Sequence, residues 1–212
     1  MRQVYLCFFG FESLIPALAC IIRNMKLYIA RHGETTENKE KRILGSTPGV
    51  LTAEGHAQGR TLASSIAALK INLVLASDLQ RVKDTCEYFD KDLIVGFTPR
   101  LRERNFGKWE GSLRKEVNWQ GLWESPKEPE LSTEIGAESL DKFTSRIADF
   151  SVSLFDALGD TDKSILLVAH IGVLNRFNFL TTPDSFAYIE YPNAEAIEFN
   201  LQVIAKNSRK YL

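Results

Sequence analysis

The spacing of apolar residues along this chain changes several times, and each change marks an element. Residues 26–30 form a short apolar run followed at once by polar and glycine residues, which reads as a buried strand ending near Arg31. After Thr52, a residue type suited to a helix N-cap, Leu62, Ile66 and Leu69 recur at helical spacing. Residues 73–76 predict a second strand. Asp78 is then placed to cap a helix whose inner face is Val82, Cys86 and Phe89, and residues 93–97 predict a third strand. The clearest helical stripe is Leu140, Phe143, Ile147, Phe150, Leu154 and Leu158. Residues 164–169 predict a fully buried strand, and a short helix should begin near Gly172. Ile197, Phe199, Leu201 and Val203 alternate as a final strand with one wetter face. Strands alternating with helices predict an α/β fold: a three-layer sandwich, with a mostly parallel central sheet and helices on both faces.

Composition narrows the class. The chain has 212 residues, 44% hydrophobic and 25% charged, which is ordinary globular usage and excludes disordered, collagen-like and coiled-coil architectures. Such a length buries roughly 70% of the surface of the unfolded chain, so no disulfide or metal staple is required. The net charge of −1 lacks the basic excess on which phosphate-backbone affinity rests, so no nucleic-acid partner is expected. Cys7, Cys20 and Cys86 are odd in number and form no C-x-x-C pair, which favours a reducing, cytoplasmic setting. Residues 4–22 are almost all apolar, but Glu12 and Pro16 interrupt them. A carboxylate at mid-membrane depth costs ~2.5–3.5 kcal/mol, so a spanning helix and a membrane partner are not expected. Two readings of this segment stay open. Residues 1–24 are an extension ahead of a start at Met25, leaving a single domain over 25–212, or they are a leader ending at the small residues 17–20. The isolated Glu12 favours the first.

The candidate chemistry sits at strand ends. Arg31, His32, Gly33, Glu34 and Thr35 follow the first strand directly, and His170 follows a later buried strand. Both histidines therefore lie on the carboxyl edge, where open α/β sheets bind ligands. His56, inside the first long helix, is expected to be exposed. No cysteine is followed six residues later by arginine, and no G-x-x-x-x-G-K-[ST] loop is present. No i, i+4 histidine pair or compact His/carboxylate cluster occurs, so neither a metal nor a cofactor is expected.

These residues resemble the histidine phosphatase superfamily, in its phosphoglycerate-mutase-like branch. The resemblance is carried by residues 31–35 with Asn38, Ser77 to Leu79 leading to Arg81 and Thr85, and Leu101 to Glu103 with Gly107. It continues through Trp109 to Gly111 and Gly136 to Ser139 to the strand ending in His170, all in family order. It implies a phosphoglycerate-mutase-like fold and a metal-independent phosphatase acting on a small phosphorylated metabolite. His32 is then the nucleophile that becomes phosphohistidine and Glu103 the general acid, with Glu34 as rival. Arg31, Asn38, Arg81 and His170 bind the phosphoryl group.

Cations at Arg31 and Arg81 suit this assignment, because they keep an imidazole neutral and offer fixed donors to a phosphoryl group. Arg81 has Asp84 and Glu87 as alternative surface partners, but it opens a helix right after a strand edge, where the dipole adds positive potential, and this favours the site. Without the resemblance, Glu103 reads better as a surface partner of Arg102 or Arg104. Ile171 stands where the family often has glycine, and residues 44–50 depart from its pattern, which leaves the substrate open. Residues 104–137 are short, acidic and proline-bearing, and read as a small lid packed by Trp109, Trp119 and Trp123. A short lid favours hydrolysis over mutase-type transfer. A non-catalytic phosphoryl-binding module is the third alternative, and oligomeric state is open.

Overall fold

The computed structural model describes residues 25–124, 127–185 and 187–212, so both readings of residues 1–24 lie outside the described residues. The apolar runs assemble as one sheet of five strands: β1 (Lys26–Arg31), β2 (Leu73–Ser77), β3 (Ile94–Thr98), β4 (Ser164–Ala169) and β5 (Ala196–Phe199). Their order is β3-β2-β4-β1-β5; the first four are parallel, and β5 runs antiparallel to β1. Strand β4 is central, and residues 165–169 are all buried, as an unbroken apolar run requires when both faces are covered.

The helices are α1 (Thr36–Lys39), α2 (Ala53–Ala68), α3 (Gln80–Cys86), α4 (Gly121–Glu124), α5 (Glu128–Ile135), α6 (Leu140–Leu158), α7 (Ile171–Thr181) and α8 (Leu201–Ser208). Strand alternation sends side chains into two separate cores. Leu27, Ile29, Ile165 and Leu167 pack with Phe143 and Ile147 of α6, Phe177 of α7 and Ile204 of α8. Tyr28, Ala30, Val74, Leu166 and Val168 pack on the opposite face with Leu62 and Ile66 of α2 and Val82 and Cys86 of α3. The expected three-layer sandwich is the observed one.

Two local expectations are corrected. Asp78 does not cap α3. Leu79 holds the N-cap position without a side-chain cap, while both Asp78 oxygens take a guanidinium, Arg102 Nε at 2.7 Å and Nη2 at 2.6 Å. A paired charge-assisted contact outweighs a single cap bond. The final strand stops at Phe199, because the Asn200 side chain accepts the backbone N–H of Val203 at 3.1 Å and starts α8. Leu201, Ile204, Ala205 and Ser208 are the buried positions of that helix, whereas Val203 is exposed, so period two gives way to a helical period.

Residues 104–137, expected as a small lid, carry α4, α5 and two 3₁₀ turns, Gly107–Trp109 and Arg114–Glu116. They are tied to the body by Arg104, which is fully buried. It donates to Glu128, to the Leu122 carbonyl, to Ser132 Oγ at 3.0 Å and to the Glu138 carbonyl at 2.8 Å. Glu128 also accepts the Leu140 N–H at 2.9 Å, which joins α5 to the start of α6. Removing one partner of such a pair strands the other charge in the interior. Glu128→Leu should therefore cost about 3–5 kcal/mol in urea unfolding, and Arg104→Met added to it should restore most of the loss. Equal stability of the single and double variants would show that Arg104 finds other compensation.

Candidate functional site

Sheet register builds the site. Arg31 pairs with Ala169 across β1 and β4, so the next residue of each strand, His32 and His170, leaves the sheet at the same level. The His32 N–H donates to the Ala169 carbonyl at 3.0 Å, and the two rings lie with centroids 5.3 Å apart, tilted by 59°. Both are buried. His32 Nδ1 lies 2.7 Å from the Gly33 carbonyl, which can only accept, so Nδ1 carries the proton. Arg81 Nε, which can only donate, lies 3.1 Å from His32 Nε2. Two independent partners thus place an unprotonated lone pair on Nε2. The same logic puts the His170 proton on Nε2, donating to Ser77 Oγ at 2.9 Å, while Nδ1 accepts from Arg81 Nη2 at 3.0 Å.

Electrostatics agree with these tautomers. Burial holds the His32 pKa well below its ordinary value, and the cations of Arg81 and Arg31 lower it further. His170 is lowered by burial, Arg81, His32 and Arg31. Arg81 does not make the surface ion pair its position allowed. It is only 1% exposed, and it also donates to the carbonyls of Gly45 at 2.7 Å, Pro48 at 3.3 Å and Thr47. Burial draws its pKa down to about 10, which leaves it charged at neutral pH. Arg31 donates through Nη1 to the Tyr191 carbonyl at 3.1 Å, and its buried Nε has no hydrogen-bond partner.

Glu103 also escapes its surface alternative, since Arg102 belongs to Asp78 and Arg104 to Glu128. Its Oε1 accepts the Arg104 N–H at 2.8 Å and its Oε2 the Gly172 N–H at 2.9 Å. A Cβ at position 172 would overlap this carboxylate, so glycine at the second position of α7 permits the approach. Burial raises the Glu103 pKa, opposed by the two backbone N–H groups and by Arg81 and Arg31. Glu34 is turned elsewhere, with Oε1 accepting from Thr52 Oγ1 at 2.8 Å. Asn38 caps α1 with Thr35: its Oδ1 accepts the Thr35 N–H at 3.3 Å. It lines one small cavity, of about 30 Å³, together with Arg31, His32, Arg81 and Glu103.

Three further residues support the site; Thr85 and Glu110 stood in the sequence only as members of the family motifs, and Asn193 carried no signal. Thr85 Oγ1 accepts the Gly33 N–H at 2.9 Å, and Asn193 Nδ2 donates to the His32 carbonyl at 2.7 Å. Glu110 Oε1 accepts the N–H groups of Ser46 at 2.9 Å and Phe106 at 3.0 Å, fixing the 44–50 loop beside Arg81. Gly33 and Gly55 approach backbone to backbone with no room for a Cβ, which seats the His32 loop on the start of α2. His56 is half-buried instead of exposed, with Nδ1 2.8 Å from the Tyr88 hydroxyl.

The family model described as histidine phosphatase superfamily, branch 1, matches residues 27–201. The chain belongs to that superfamily. An adenosylcobalamin/α-ribazole phosphatase of Salmonella typhimurium is 30% identical over 158 residues, 71% of this chain and 76% of the relative. A crystal structure of phosphoglycerate mutase from Thermus thermophilus superposes with TM-score 0.60 at 31% identity, covering 82% of this chain and 92% of that one. A mycobacterial glucosyl-3-phosphoglycerate phosphatase shares the fold, with TM-score 0.67 at 24% identity over 82% and 91% of the two chains. This histidine phosphatase has, among its described residues, no group of three or more His, Cys, Asp or Glu side chains placed to hold a metal ion. Among the same residues no helix is long and apolar enough to cross a membrane.

The lowered histidine pKa values make stability depend on pH. Below about pH 6.5 the unfolded chain binds protons at His32 and His170 that the folded chain refuses, so stability falls as pH drops towards the folded values. The slope reaches about 1.4 kcal/mol per pH unit for each histidine. The raised pKa of Glu103 acts in the opposite direction and only above its unfolded value, near 4.5. Urea midpoints measured between pH 7 and 5 should fall more steeply for the wild type than for His170→Asn. Parallel curves would mean that His170 accepts a proton in the folded protein.

Proposed function

We propose that this histidine phosphatase hydrolyses phosphomonoesters of small metabolites through a phosphohistidine on His32. The observation that carries the reading is the unprotonated Nε2 of His32, capped by a guanidinium in a buried, cationic cleft. The lone pair attacks phosphorus, and the bond from phosphorus to the ester oxygen breaks as that oxygen takes a proton from Glu103. Water then attacks the phosphohistidine and gives its proton to the Glu103 carboxylate; the N–P bond breaks, and inorganic phosphate leaves with Nε2 free again. Arg31, whose Nε is unpartnered, supplies a donor to the charge that spreads over the phosphoryl oxygens, and Arg81 supplies a second as its Nε–H, released when Nε2 of His32 bonds phosphorus, turns to a phosphoryl oxygen. Asn38 adds a neutral donor through its amide. His170 serves the phosphoryl pocket through Arg81, whose Nη2 it holds with Nδ1 while Ser77 orients the ring.

A phosphoryl-binding module without turnover would not need a nucleophile held neutral, nor a buried carboxyl raised towards protonation. Both features support catalysis. Substrate labelled at phosphorus should give an acid-labile, alkali-stable phosphoenzyme that is absent in His32→Ala. Retention of more than a few per cent of turnover by that variant would remove His32 from the nucleophile role.

Glu103 is tested through the leaving group. An alkoxide must be protonated as it departs, whereas 4-nitrophenolate leaves unaided. Glu103→Gln should slow alkyl phosphates by about 10²–10⁴-fold and the nitrophenyl ester far less. Equal losses on both would make Glu103 a positioning residue and direct the search for the acid to Glu34.

A further inference from the structure

Helix α7 carries a buried polar side chain that the reaction does not touch. Asn175 lies one turn into the helix and is fully buried. Asparagine is a poor helix former, and a desolvated amide is costly unless its hydrogen bonds are met. Asn175 makes three. Its Oδ1 accepts the Ile189 N–H at 2.8 Å, and its Nδ2 donates to the carbonyls of Ile189 and Ile171, both at 2.9 Å. An amide side chain presents a donor and an acceptor side by side, as a peptide group does. Asn175 therefore holds both polar backbone groups of Ile189, as a neighbouring strand would.

Ile189 belongs to residues 187–194, a segment without helix or strand. The far end of that segment is fastened to β1 and the loop after it: the Ala194 N–H donates to the Arg31 carbonyl at 2.8 Å, and Asn193 Nδ2 to the His32 carbonyl at 2.7 Å. Between the two anchors, the Tyr191 N–H donates to the Ile189 carbonyl at 3.1 Å, and the Tyr191 carbonyl accepts from Nη1 of Arg31 at 3.1 Å. A continuous chain of hydrogen bonds thus runs from Asn175 through Ile189 and Tyr191 to a guanidinium. Arginine has many rotamers, and a fixed carbonyl on one Nη selects the orientation in which Arg31 lines the small cavity with His32 and Glu103. The same helix also holds the carboxyl, because Gly172 donates to Glu103 Oε2 at 2.9 Å. One rigid element sets the cation and the carboxyl from positions within a single turn.

We infer that Asn175 is a positioning residue of the phosphoryl site: acting through Ile189 and Tyr191, it fixes the guanidinium of Arg31 relative to His32 and Glu103. This rests on the role proposed for Arg31 at the phosphoryl group, which turnover and orthovanadate binding test separately.

The experiment is a double-mutant cycle on the full chain, with 4-nitrophenyl phosphate turnover and orthovanadate affinity as readouts. Asn175→Ser, whose shorter side chain does not reach Ile189, should lower kcat/KM about tenfold, mostly through KM, and weaken vanadate binding by a similar factor. In an Arg31→Lys background, where the fork held by Tyr191 is gone, the same substitution should cost less than about twofold. A residue that merely supports the fold would lower the urea midpoint and cost the same factor in both backgrounds, and that result would overturn the inference. Unchanged kcat/KM and vanadate affinity in Asn175→Ser would overturn it too. Should the variant fail to fold, hydrogen exchange on the wild type decides. Vanadate should slow exchange of the Ile189 and Tyr191 N–H groups, and equal rates with and without it would sink the coupling. A non-additive cycle in vanadate affinity with no ester hydrolysed would overturn the hydrolase reading and keep the role of Asn175. Turnover with an additive cycle would do the reverse, and absence of both binding and turnover would overturn both.

Discussion

The buried guanidinium of Arg81 is the constraint around which the cleft is arranged. A cation that is 1% exposed must be surrounded by acceptors, because an isolated charge in the interior is costly. Here the acceptors are neutral: two imidazole nitrogens and the carbonyls of Gly45, Thr47 and Pro48. That choice has two structural consequences. Both histidines must present lone pairs to Arg81, which selects one tautomer for each ring and leaves their other nitrogens to bond Gly33 and Ser77. The 44–50 loop must also lie across the cleft, where Glu110 holds it through Ser46. A carboxylate in direct contact with Arg81 would satisfy the charge more simply, but it would hold those donors more tightly than neutral acceptors do and so hinder the phosphoryl binding proposed for Arg81.

Register explains why two histidines far apart in sequence share one site. Parallel strands place equivalent ends at the same level, and β1 and β4 are adjacent even though well over a hundred residues separate them. This part of the site was legible beforehand: an apolar run of fixed length followed by a histidine, twice, implies two histidines on one sheet edge. Arg31 was legible for the same reason. Arg81 was legible only from its place at the opening of a helix after a strand edge, and Glu103 not from spacing at all, since each had an adequate surface partner within a few residues. For Glu103 only the family resemblance chose between the alternatives, and the observed ion pairs of Arg102 with Asp78 and Arg104 with Glu128 show what makes that choice physically sound.

The misread elements share a physical origin. Asp78 was expected to cap a helix because local sequence contains no information on Arg102, which arrives from 24 residues away. The run from Ile197 to Val203 satisfies a strand period at every second residue, yet Leu201, Ile204 and Ala205 satisfy a helical one just as well. Asn200 decides between them by bonding forward to Val203. Thr85, Asn193 and Glu110 support backbone atoms of the site, and polar residues that serve backbone carry no periodic signature at all.

The cleft imposes one rule on all its ionisable groups, and their different intrinsic pKa values turn that rule into different roles. Burial favours the uncharged form in every case. For the histidines, which start near neutrality, the shift favours the neutral ring and leaves the lone pair that the proposed nucleophile requires. For Glu103, which starts well below, the same penalty pushes upward towards a protonated carboxyl, moderated by the N–H groups of Arg104 and Gly172. For Arg81 the shift stops at about 10, so its charge survives. One desolvated cavity therefore yields neutral imidazoles, a carboxyl raised towards protonation and a surviving cation, the set that the proposed reaction requires, without a separate device for each. The protein's further contribution is to place enough fixed dipoles, loop carbonyls for Arg81 and backbone N–H groups for Glu103, to keep the surviving charge and the carboxyl from being expelled to solvent.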